Sequence, residues 1–239
     1  MKICLVGYGA MGHIVYEMAN NEISAICDIN YEKGIKNLSE LKDHVDVILD
    51  FSNPANLDMI YEYAIKNNTP VVLATTGYNI AAEAKINELA KFVPVLKSAN
   101  FSLGVLVMDK VLEMITPILK DSFDIEIVEA HHHNKVDAPS GTAKMFLNTL
   151  IDKTNYEPNF GRYGNEKRKT NEIGVSSIRG GSIVGEHEVL YCGEDEVLSI
   201  KHSASSRKIF AKGALLACKF IVKQEKGLYN MKDVLFKGE

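Results

Sequence analysis

The sequence lacks several features that would assign it to particular classes of protein. Its four cysteines, Cys4, Cys27, Cys192 and Cys218, are scattered and form no C-x-x-C pair, so neither a zinc site nor a disulfide framework is predicted. The 27 basic and 31 acidic residues are spread along the chain, giving a formal net charge of -4. This balance leaves no basic face for nucleic acid or acidic lipid.

Long apolar runs are also missing. No stretch approaches the ~20 residues that span a bilayer, and the short apolar start leads into a glycine turn and not into a cleavage site. With 46% hydrophobic residues among 239, the chain can still bury a large core. We therefore expect a cytoplasmic protein that acts on small molecules and binds neither nucleic acid nor membranes.

Apolar strands and amphipathic helices alternate through the amino-terminal part of the sequence. We predict strands near residues 2–7, 23–28, 45–51, 70–75 and 93–97, and helices near 10–20, 54–67 and 79–91. Such alternation is typical of βαβ units that build a parallel sheet.

A glycine-rich turn, Gly7-Tyr8-Gly9-Ala10-Met11-Gly12, lies between the first predicted strand and helix. This spacing allows a dinucleotide pyrophosphate to lie on the helix N-terminus. Asp28 ends the second strand and can accept hydrogen bonds from an adenosine ribose. Because no arginine follows Asp28, NADH is favoured over NADPH, although Lys33 weakens that preference. The alternative is that the glycines only form a tight turn and Asp28 caps a loop.

Two further turns are predicted to face the cofactor. Ala74, Thr75 and Thr76 follow the fourth strand, and Ser98, Ala99, Asn100 and Phe101 follow the fifth. In an open parallel sheet the carboxyl ends of the strands line the ligand crevice. Ordinary strand-ending loops are the alternative.

Beyond residue 102 the pattern changes. We predict a helix at 104–120, a strand at 123–133, a helix at 140–153, a loop at 154–171 and strands at 173–180, 186–192 and 196–203, followed by a helix to residue 223 and a tail at 231–236. Glycines in the later turns favour an antiparallel sheet. The predicted fold is α/β: a Rossmann-type parallel-sheet domain at 1–102 and 207–239, and an α+β domain with a mostly antiparallel open sheet at 103–206.

His131, His132, His133 and Lys135 end an apolar run, and Ser140-Gly141-Thr142 begins the next predicted helix. Imidazole and ammonium groups suit proton transfer, and a helix start with free N–H groups can hold an anion. One alternative is a satisfied polar strand end. Another is a zinc site shared by His131 and His133, which lie on one strand face by alternation, although no third ligand is visible at suitable spacing.

Two charged residues near this segment allow more than one interpretation. Glu129 can orient a histidine or simply be a charge at a strand end. Arg179 can contact a substrate carboxylate or serve a structural role at a sheet edge.

Several segments together resemble the 4-hydroxy-tetrahydrodipicolinate reductase family. They are the glycine turn at 7–12, Ala74-Thr75-Thr76-Gly77, Ser98-Ala99-Asn100-Phe101-Ser102, Glu129-Ala130-His131-His132, Lys135 to Ala143, Arg179-Gly180-Gly181, Gly185-Glu186-His187 and His202 to Arg207. The resemblance implies that His131 is the catalytic acid/base and Lys135 the proton donor. It also implies substrate contacts at His132, Ser140, Gly141 and Thr142, and cofactor contacts at the glycine turn, Asp28 and the two later turns.

This resemblance implies an oxidoreductase of diaminopimelate and lysine biosynthesis. The expected reaction is reduction of a cyclic dicarboxylate by NADH or NADPH with loss of water, and the expected assembly is a homotetramer formed through the second domain, 103–206, which also binds substrate. A reductase for another imine or amino acid, and a non-catalytic nucleotide sensor, are the competing hypotheses.

Overall fold

The computed structural model describes residues 1–236. The chain divides into two compact units, which we call unit 1, Met1–Leu103 with Arg207–Glu239, and unit 2, Gly104–Ser206. Within the described range, none of the helices has the length and apolar character needed to cross a membrane.

The first part of unit 1 alternates strands and helices as the sequence predicts. Its elements are β1 (Ile3–Val6), α1 (Ala10–Ala19), β2 (Ile23–Cys27), β3 (Val47–Asp50), α2 (Leu57–Asn67), β4 (Val71–Leu73), α3 (Ile80–Leu89) and β5 (Pro94–Lys97). Every residue of β1, β3 and β4 is buried, because the middle strands of a parallel sheet are covered on both faces.

Unit 2 contains a sheet packed against helices. Its elements are α4 (Leu103–Leu119), β6 (Asp124–His131), α5 (Gly141–Thr154), β7 (Glu157–Phe160), β8 (Glu172–Arg179), β9 (Gly185–Cys192) and β10 (Val197–Ala204). Alternate residues of β6 face the core, so that Ile125, Ile127, Glu129 and His131 are all buried. This alternation places two polar side chains at the end of an otherwise apolar face.

The sheet of unit 2 is mixed, and not mostly antiparallel as the sequence predicts. Its order is β10-β9-β6-β8-β7; β9 is antiparallel to β10 and β6, whereas β8 is parallel to β6 and β7. The glycine turn after β8 suggests a hairpin with β9, but β6 inserts between these two strands. Pairing between distant segments therefore overrides the local turn signal.

Strand β7 lies in the segment predicted to be a loop. Its four residues include Pro158 and are mostly exposed, and its parallel pairing with β8 places it at the sheet edge. Proline is tolerated in such edge strands. The strand thus results from tertiary pairing and has little local signal.

The chain returns to unit 1 through α6 (Lys208–Ile221), β11 (Gly227–Tyr229) and α7 (Met231–Leu235). Within the described residues, unit 1 has a six-stranded sheet of order β11-β5-β4-β3-β1-β2, with all pairs parallel. The short strand β11 was not predicted. The parallel sheet confirms the Rossmann-type α/β class.

Gly213 in α6 should be intolerant of any side chain. A Cβ atom there would overlap the carbonyl oxygen of Phe101, so we expect Gly213→Ala to cost about 2 kcal/mol of unfolding free energy in urea titrations. Helix propensity alone predicts that Gly213→Ala raises the free energy of unfolding by about 1 kcal/mol. The sign of the measured change therefore distinguishes the steric overlap from helix propensity. Lys212→Ala on the exposed face is the control and should remain close to wild type; equal or greater stability of Gly213→Ala would contradict the close approach.

Candidate active site

The glycine turn of unit 1 has the backbone geometry of a phosphate cradle. Gly7 has φ +91°, and a Cβ there would lie 2.5 Å from the carbonyl oxygen of Phe51; a Cβ at Gly12 would overlap the carbonyl of Gly7. At Gly9, by contrast, no atom of the described chain lies within 4 Å of an added Cβ. Gly7 and Gly12 therefore allow the tight turn and the close packing of the helix, and Gly9 leaves space for a ligand.

The start of α1 is open to an anion. Gly9 is the N-cap and offers no side chain to the first N–H groups, and the first turn carries no acidic residue. Ala10 and Met11 form that first turn. Unpaired N–H groups and the helix dipole favour a pyrophosphate at this position.

Asp28 is held beside the glycine turn. Its Oδ2 accepts the backbone N–H of Tyr8 at 2.7 Å, and its Oδ1 accepts that of Asn30, also at 2.7 Å. The ring of Tyr8 stacks on His13 with centroids 4.0 Å apart. The carboxylate predicted to bind the ribose is thus fixed next to the cradle.

A buried carboxyl group supports the turns after β3 and β4. Asp50 is fully buried; it accepts the Ser52 N–H at 3.1 Å and the Tyr78 hydroxyl at 3.2 Å. Burial raises its pKa despite these hydrogen bonds. Thr75 is buried, and its hydroxyl accepts the Ser52 N–H at 2.9 Å, so its side chain links the two turns. Its neighbours are more accessible: Ala74 is half-buried and Thr76 is exposed.

The turn after β5 is fixed by its own polar groups. The Ser98 hydroxyl donates to the Asn100 carbonyl at 2.6 Å, and the Asn100 side-chain oxygen accepts the Ser102 N–H at 2.9 Å. Phe101 is buried and Ala99 exposed. The open cradle at Gly9, the uncapped start of α1 and the fixed Asp28 fit a nicotinamide dinucleotide.

In unit 2, a single carboxylate connects the predicted catalytic histidine to an arginine. His131 Nδ1 lies 2.6 Å from Glu129 Oε2, and the Arg179 guanidinium donates to both Glu129 oxygens at 2.9 and 2.7 Å. The Glu129 side chain is fully buried. The bidentate contact fixes the carboxylate, which in turn fixes the orientation of the His131 ring through Nδ1.

Burial and neighbouring charges in this cluster set the protonation of Glu129 and His131. Burial would raise the pKa of Glu129, but hydrogen bonds from Arg179, Ser177 and His131 outweigh it and lower the pKa to about 2. Burial lowers the pKa of His131 and outweighs the opposing influence of Glu129. His131 is therefore neutral at neutral pH. A Cβ at Gly185 would lie only 3.1 Å from the His131 Nε2, so the glycine leaves room beside that atom.

The turn after β6 carries the other predicted residues. Lys135 forms an ion pair with Asp137, with Nζ 2.7 Å from Oδ1, and this contact lowers the pKa of Asp137. His132 is half-buried, and its carbonyl accepts the Lys135 N–H at 3.1 Å. Arg179 also donates to the Asp137 carbonyl at 2.6 Å, which ties the turn to the Glu129 cluster.

The zinc pair considered from the sequence is not formed. His133 lies beyond the end of β6 and is exposed, so alternation along the strand does not extend to it. The residues with metal-ligand atoms close together are instead Glu129, His131 and His187. Since the guanidinium of Arg179 covers both Glu129 oxygens, its positive charge opposes a cation there.

The start of α5 has the geometry of a second anion site. Ser140 is its N-cap and accepts the Ala143 N–H at 3.2 Å, while the Ser140 N–H donates to Glu129 Oε1 at 3.2 Å. Within residues 1–236, nothing lies within 4 Å of a Cβ added at Gly141, and Thr142 is half-buried. The structure thus brings His131 and Ser140 together through Glu129, next to an open helix N-terminus.

Sequence reasoning assigned no role to two residues of these sites. Asp50 ends an otherwise apolar strand, a position that could have drawn attention. His187 belongs to a segment of the family resemblance, and its Nε2 lies 2.8 Å from the Ser140 hydroxyl. Only the fold shows that β9 brings it opposite Glu129.

A dinucleotide cradle in unit 1 and a histidine, a lysine and an anion-binding helix in unit 2 define a nicotinamide-dependent oxidoreductase. Comparisons with known proteins identify the family. Models described as dihydrodipicolinate reductase, N-terminus, and dihydrodipicolinate reductase, C-terminus, match residues 1–101 and 104–235. The chain belongs to the dihydrodipicolinate reductase family, and the predicted NAD(P)H-dependent reductase class is confirmed.

Individual relatives cover the whole chain. A 4-hydroxy-tetrahydrodipicolinate reductase of Clostridium novyi is 44% identical over 246 residues, covering 98% of each protein. One of Brachyspira hyodysenteriae is 43% identical over 242 residues, covering 98% of this chain and 100% of the relative. A dipicolinate-bound dihydrodipicolinate reductase from Paenisporosarcina sp. TG-14 has the same fold, with a TM-score of 0.78 and 22% identity over 99% of each chain.

Glu129 should make stability depend on pH. Because its pKa falls from 4.5 to about 2 on folding, the ionised form stabilises the fold above pH 4.5, and this contribution is lost as the pH falls toward 2. At 1.36 kcal/mol per pKa unit it amounts to about 3 kcal/mol. We expect Glu129→Gln to be less stable than wild type by about this amount at pH 7. The difference in the free energy of unfolding between the two proteins should become smaller below pH 4.5, as measured by denaturant titrations at a series of pH values.

The matched control for this series is Glu194→Gln, at an exposed glutamate in the turn after β9, which should follow the wild type at every pH. A constant difference between Glu129→Gln and wild type from pH 7 to 3 would show that the lost charge is not the cause.

Proposed function

We propose that this chain reduces 4-hydroxy-tetrahydrodipicolinate to tetrahydrodipicolinate with NADH or NADPH and loss of water, in diaminopimelate and lysine biosynthesis. The observation that carries the proposal is the Glu129 carboxylate, which accepts hydrogen bonds from both His131 and the Ser140 N–H at the start of α5. A proton-transfer group and an anion site are thereby held side by side, as a dicarboxylate substrate requires.

Unit 1 binds the cofactor in this proposal. The start of α1 would hold the pyrophosphate, through Gly7, Tyr8, Gly9, Ala10, Met11 and Gly12, and Asp28 would hold the ribose. The turns Ala74 to Thr76 and Ser98 to Phe101 contact the remainder. A nicotinamide held there supplies the hydride that reduces the substrate.

Unit 2 binds the substrate. One carboxylate lies on the N–H groups at the start of α5, contacted by Ser140, Gly141 and Thr142, with His132 nearby. Helix N-termini bind such anions without a large basic patch, which suits the balanced charge of the chain. The dipicolinate bound to the Paenisporosarcina relative is a dicarboxylate, which supports this substrate class.

His131 and Lys135 divide the proton transfers. Neutral His131 takes a proton from the carbon beside the hydroxyl-bearing carbon, while Lys135 protonates the departing hydroxyl, so that water leaves and a conjugated imine forms. After the hydride has added, His131 returns its proton to the ring and Lys135 regains one from solvent. The net change is uptake of one hydride and one proton and release of one water.

The cofactor preference in this proposal is for NADH. Asp28 presents a carboxylate where the ribose hydroxyls would lie, and a 2′-phosphate would be repelled by it. Lys36 donates to the carbonyls of Asp28 and Tyr31 at 3.2 and 2.6 Å, so its ammonium group is already hydrogen-bonded to the backbone. Lys33 is exposed.

We also propose a cytoplasmic homotetramer assembled through unit 2. The face of its sheet opposite the core carries exposed Ile178 and Val197. Exposed apolar side chains on an open sheet face favour association between copies of a chain.

The activity is tested with NADH or NADPH and substrate generated in place from pyruvate and aspartate semialdehyde by dihydrodipicolinate synthase. Wild type should oxidise the cofactor, and Lys135→Ala should lower kcat by about 10² to 10⁴-fold without changing the calorimetric Kd of the cofactor. Lys167→Ala, an exposed lysine of unit 2, is the matched control. Absence of cofactor oxidation by the wild type would refute the proposed function; full activity of Lys135→Ala would refute the role of Lys135.

The cofactor preference depends on Asp28. We expect Asp28→Ala to weaken NADH binding and to reduce the preference for NADH over NADPH by about tenfold, the effect of one hydrogen bond to a charged group. Calorimetric titration of both cofactors measures the ratio. An unchanged ratio would mean that Asp28 only supports the turn through Tyr8 and Asn30.

A further inference from the structure

The N-cap hydroxyl of α5 has a hydrogen bond whose direction matters for substrate binding. Ser140 is buried, its hydroxyl oxygen accepts the Ala143 N–H at 3.2 Å, and it lies 2.8 Å from His187 Nε2. A serine hydroxyl has one hydrogen and two lone pairs. If Ser140 donates to His187, that hydrogen is used; if His187 donates, the hydrogen is available to a ligand.

The surroundings of His187 decide between these two cases. Burial is the main cause that lowers the pKa of His187 to about 4, so the ring is neutral at neutral pH and carries a single N–H. Its Nδ1 atom is buried and has no hydrogen-bond partner in the described part of the chain. A buried N–H without an acceptor is rarer in proteins than an unpaired acceptor, so the hydrogen belongs on Nε2, where Ser140 can accept it.

Neighbouring rings hold His187 in this orientation. The His131 ring lies at 5.1 Å and 73°, and the Phe146 ring at 6.0 Å and 90°. His187 also lies opposite Glu129 in the antiparallel register of β6 and β9. The ring is therefore packed from two sides and has little freedom to turn its other nitrogen toward Ser140.

We propose that His187 is a positioning residue that donates from Nε2 to the Ser140 hydroxyl and so leaves the Ser140 hydrogen for a substrate carboxylate. The Ala143 N–H and the His187 N–H then occupy both lone pairs of the hydroxyl oxygen. The remaining hydrogen points to an acceptor supplied by the bound anion at the open start of α5. This inference rests on the proposed function and assigns to unit 2 an additional specificity determinant for carboxylates.

Two variants separate the hydrogen bond from simple packing. His187→Leu removes the N–H that orients the Ser140 hydroxyl, while the hydroxyl keeps its own hydrogen. We therefore expect the KM for substrate to rise about five- to tenfold, the loss typical of one neutral hydrogen bond. The kcat and the cofactor Kd should change less than about threefold. His187→Gln keeps an N–H donor of similar reach and should restore the substrate KM to within about threefold of wild type.

A double-mutant cycle tests whether His187 acts through Ser140. Ser140→Ala removes the donor to the carboxylate and should raise the substrate KM about 10 to 100-fold, and the combined variant should be no worse than Ser140→Ala alone. Calorimetry with pyridine-2,6-dicarboxylate as the probe should show the same non-additive loss. Additive effects, or an unchanged KM in His187→Leu, would overturn the inference.

The tautomer can be measured without any activity assay. In nitrogen-15 NMR of the wild-type protein, the His187 ring should show a protonated Nε2 and an unprotonated Nδ1 at pH 7. A protonated Nδ1 would overturn the inference even if His187→Leu fails to fold. Absence of turnover in the wild type would instead refute the proposed function, so the two failures are distinguishable.

Discussion

The buried carboxylate of Glu129 is the interaction on which the site of unit 2 depends. It accepts hydrogen bonds from Arg179, from His131 and from the backbone of Ser140. Burying a single carboxylate is costly unless charge and hydrogen bonds compensate it, and here three different segments of the chain supply them. The Glu129 carboxylate therefore aligns the end of β6, the neighbouring strand β8 and the start of α5. A shift of any one of these elements would disturb the hydrogen bonds to the other two.

The two proposed anion sites, at the starts of α1 and α5, share one structural feature. At α1 and at α5, a helix begins with an open glycine, Gly9 or Gly141, so that an anion can approach backbone N–H groups closely. Neither site needs a cluster of basic side chains, because the helix N-terminus supplies partial positive charge. In the proposed function, a chain with a net charge of -4 thus binds a dinucleotide and a dicarboxylate.

The parts of the fold that the sequence predicted are those in which local chemistry determines the structure. The glycine turn was predictable because only glycine accepts the φ of Gly7 and the contacts of Gly12. Two features of unit 2 were not predictable from the sequence: the mixed order of its sheet and the presence of strand β7. Both depend on pairing between distant segments. The same holds for His187: its residue type was visible, but its contact with Ser140 depends on the register of β9 against β6.

The burial of His131 explains why proton donation falls to Lys135 in the proposed reaction. A carboxylate beside a histidine normally raises the histidine pKa, but in this site Glu129 is shared with a guanidinium, and burial dominates, so the pKa of His131 is lowered. An imidazole held neutral can accept a proton but cannot offer one at the outset. The initial donor must then be a separate cation, and Lys135, tied by Asp137 to the same turn, provides it. A neutral imidazole and an ammonium group on the same turn allow one site to carry out both base and acid chemistry.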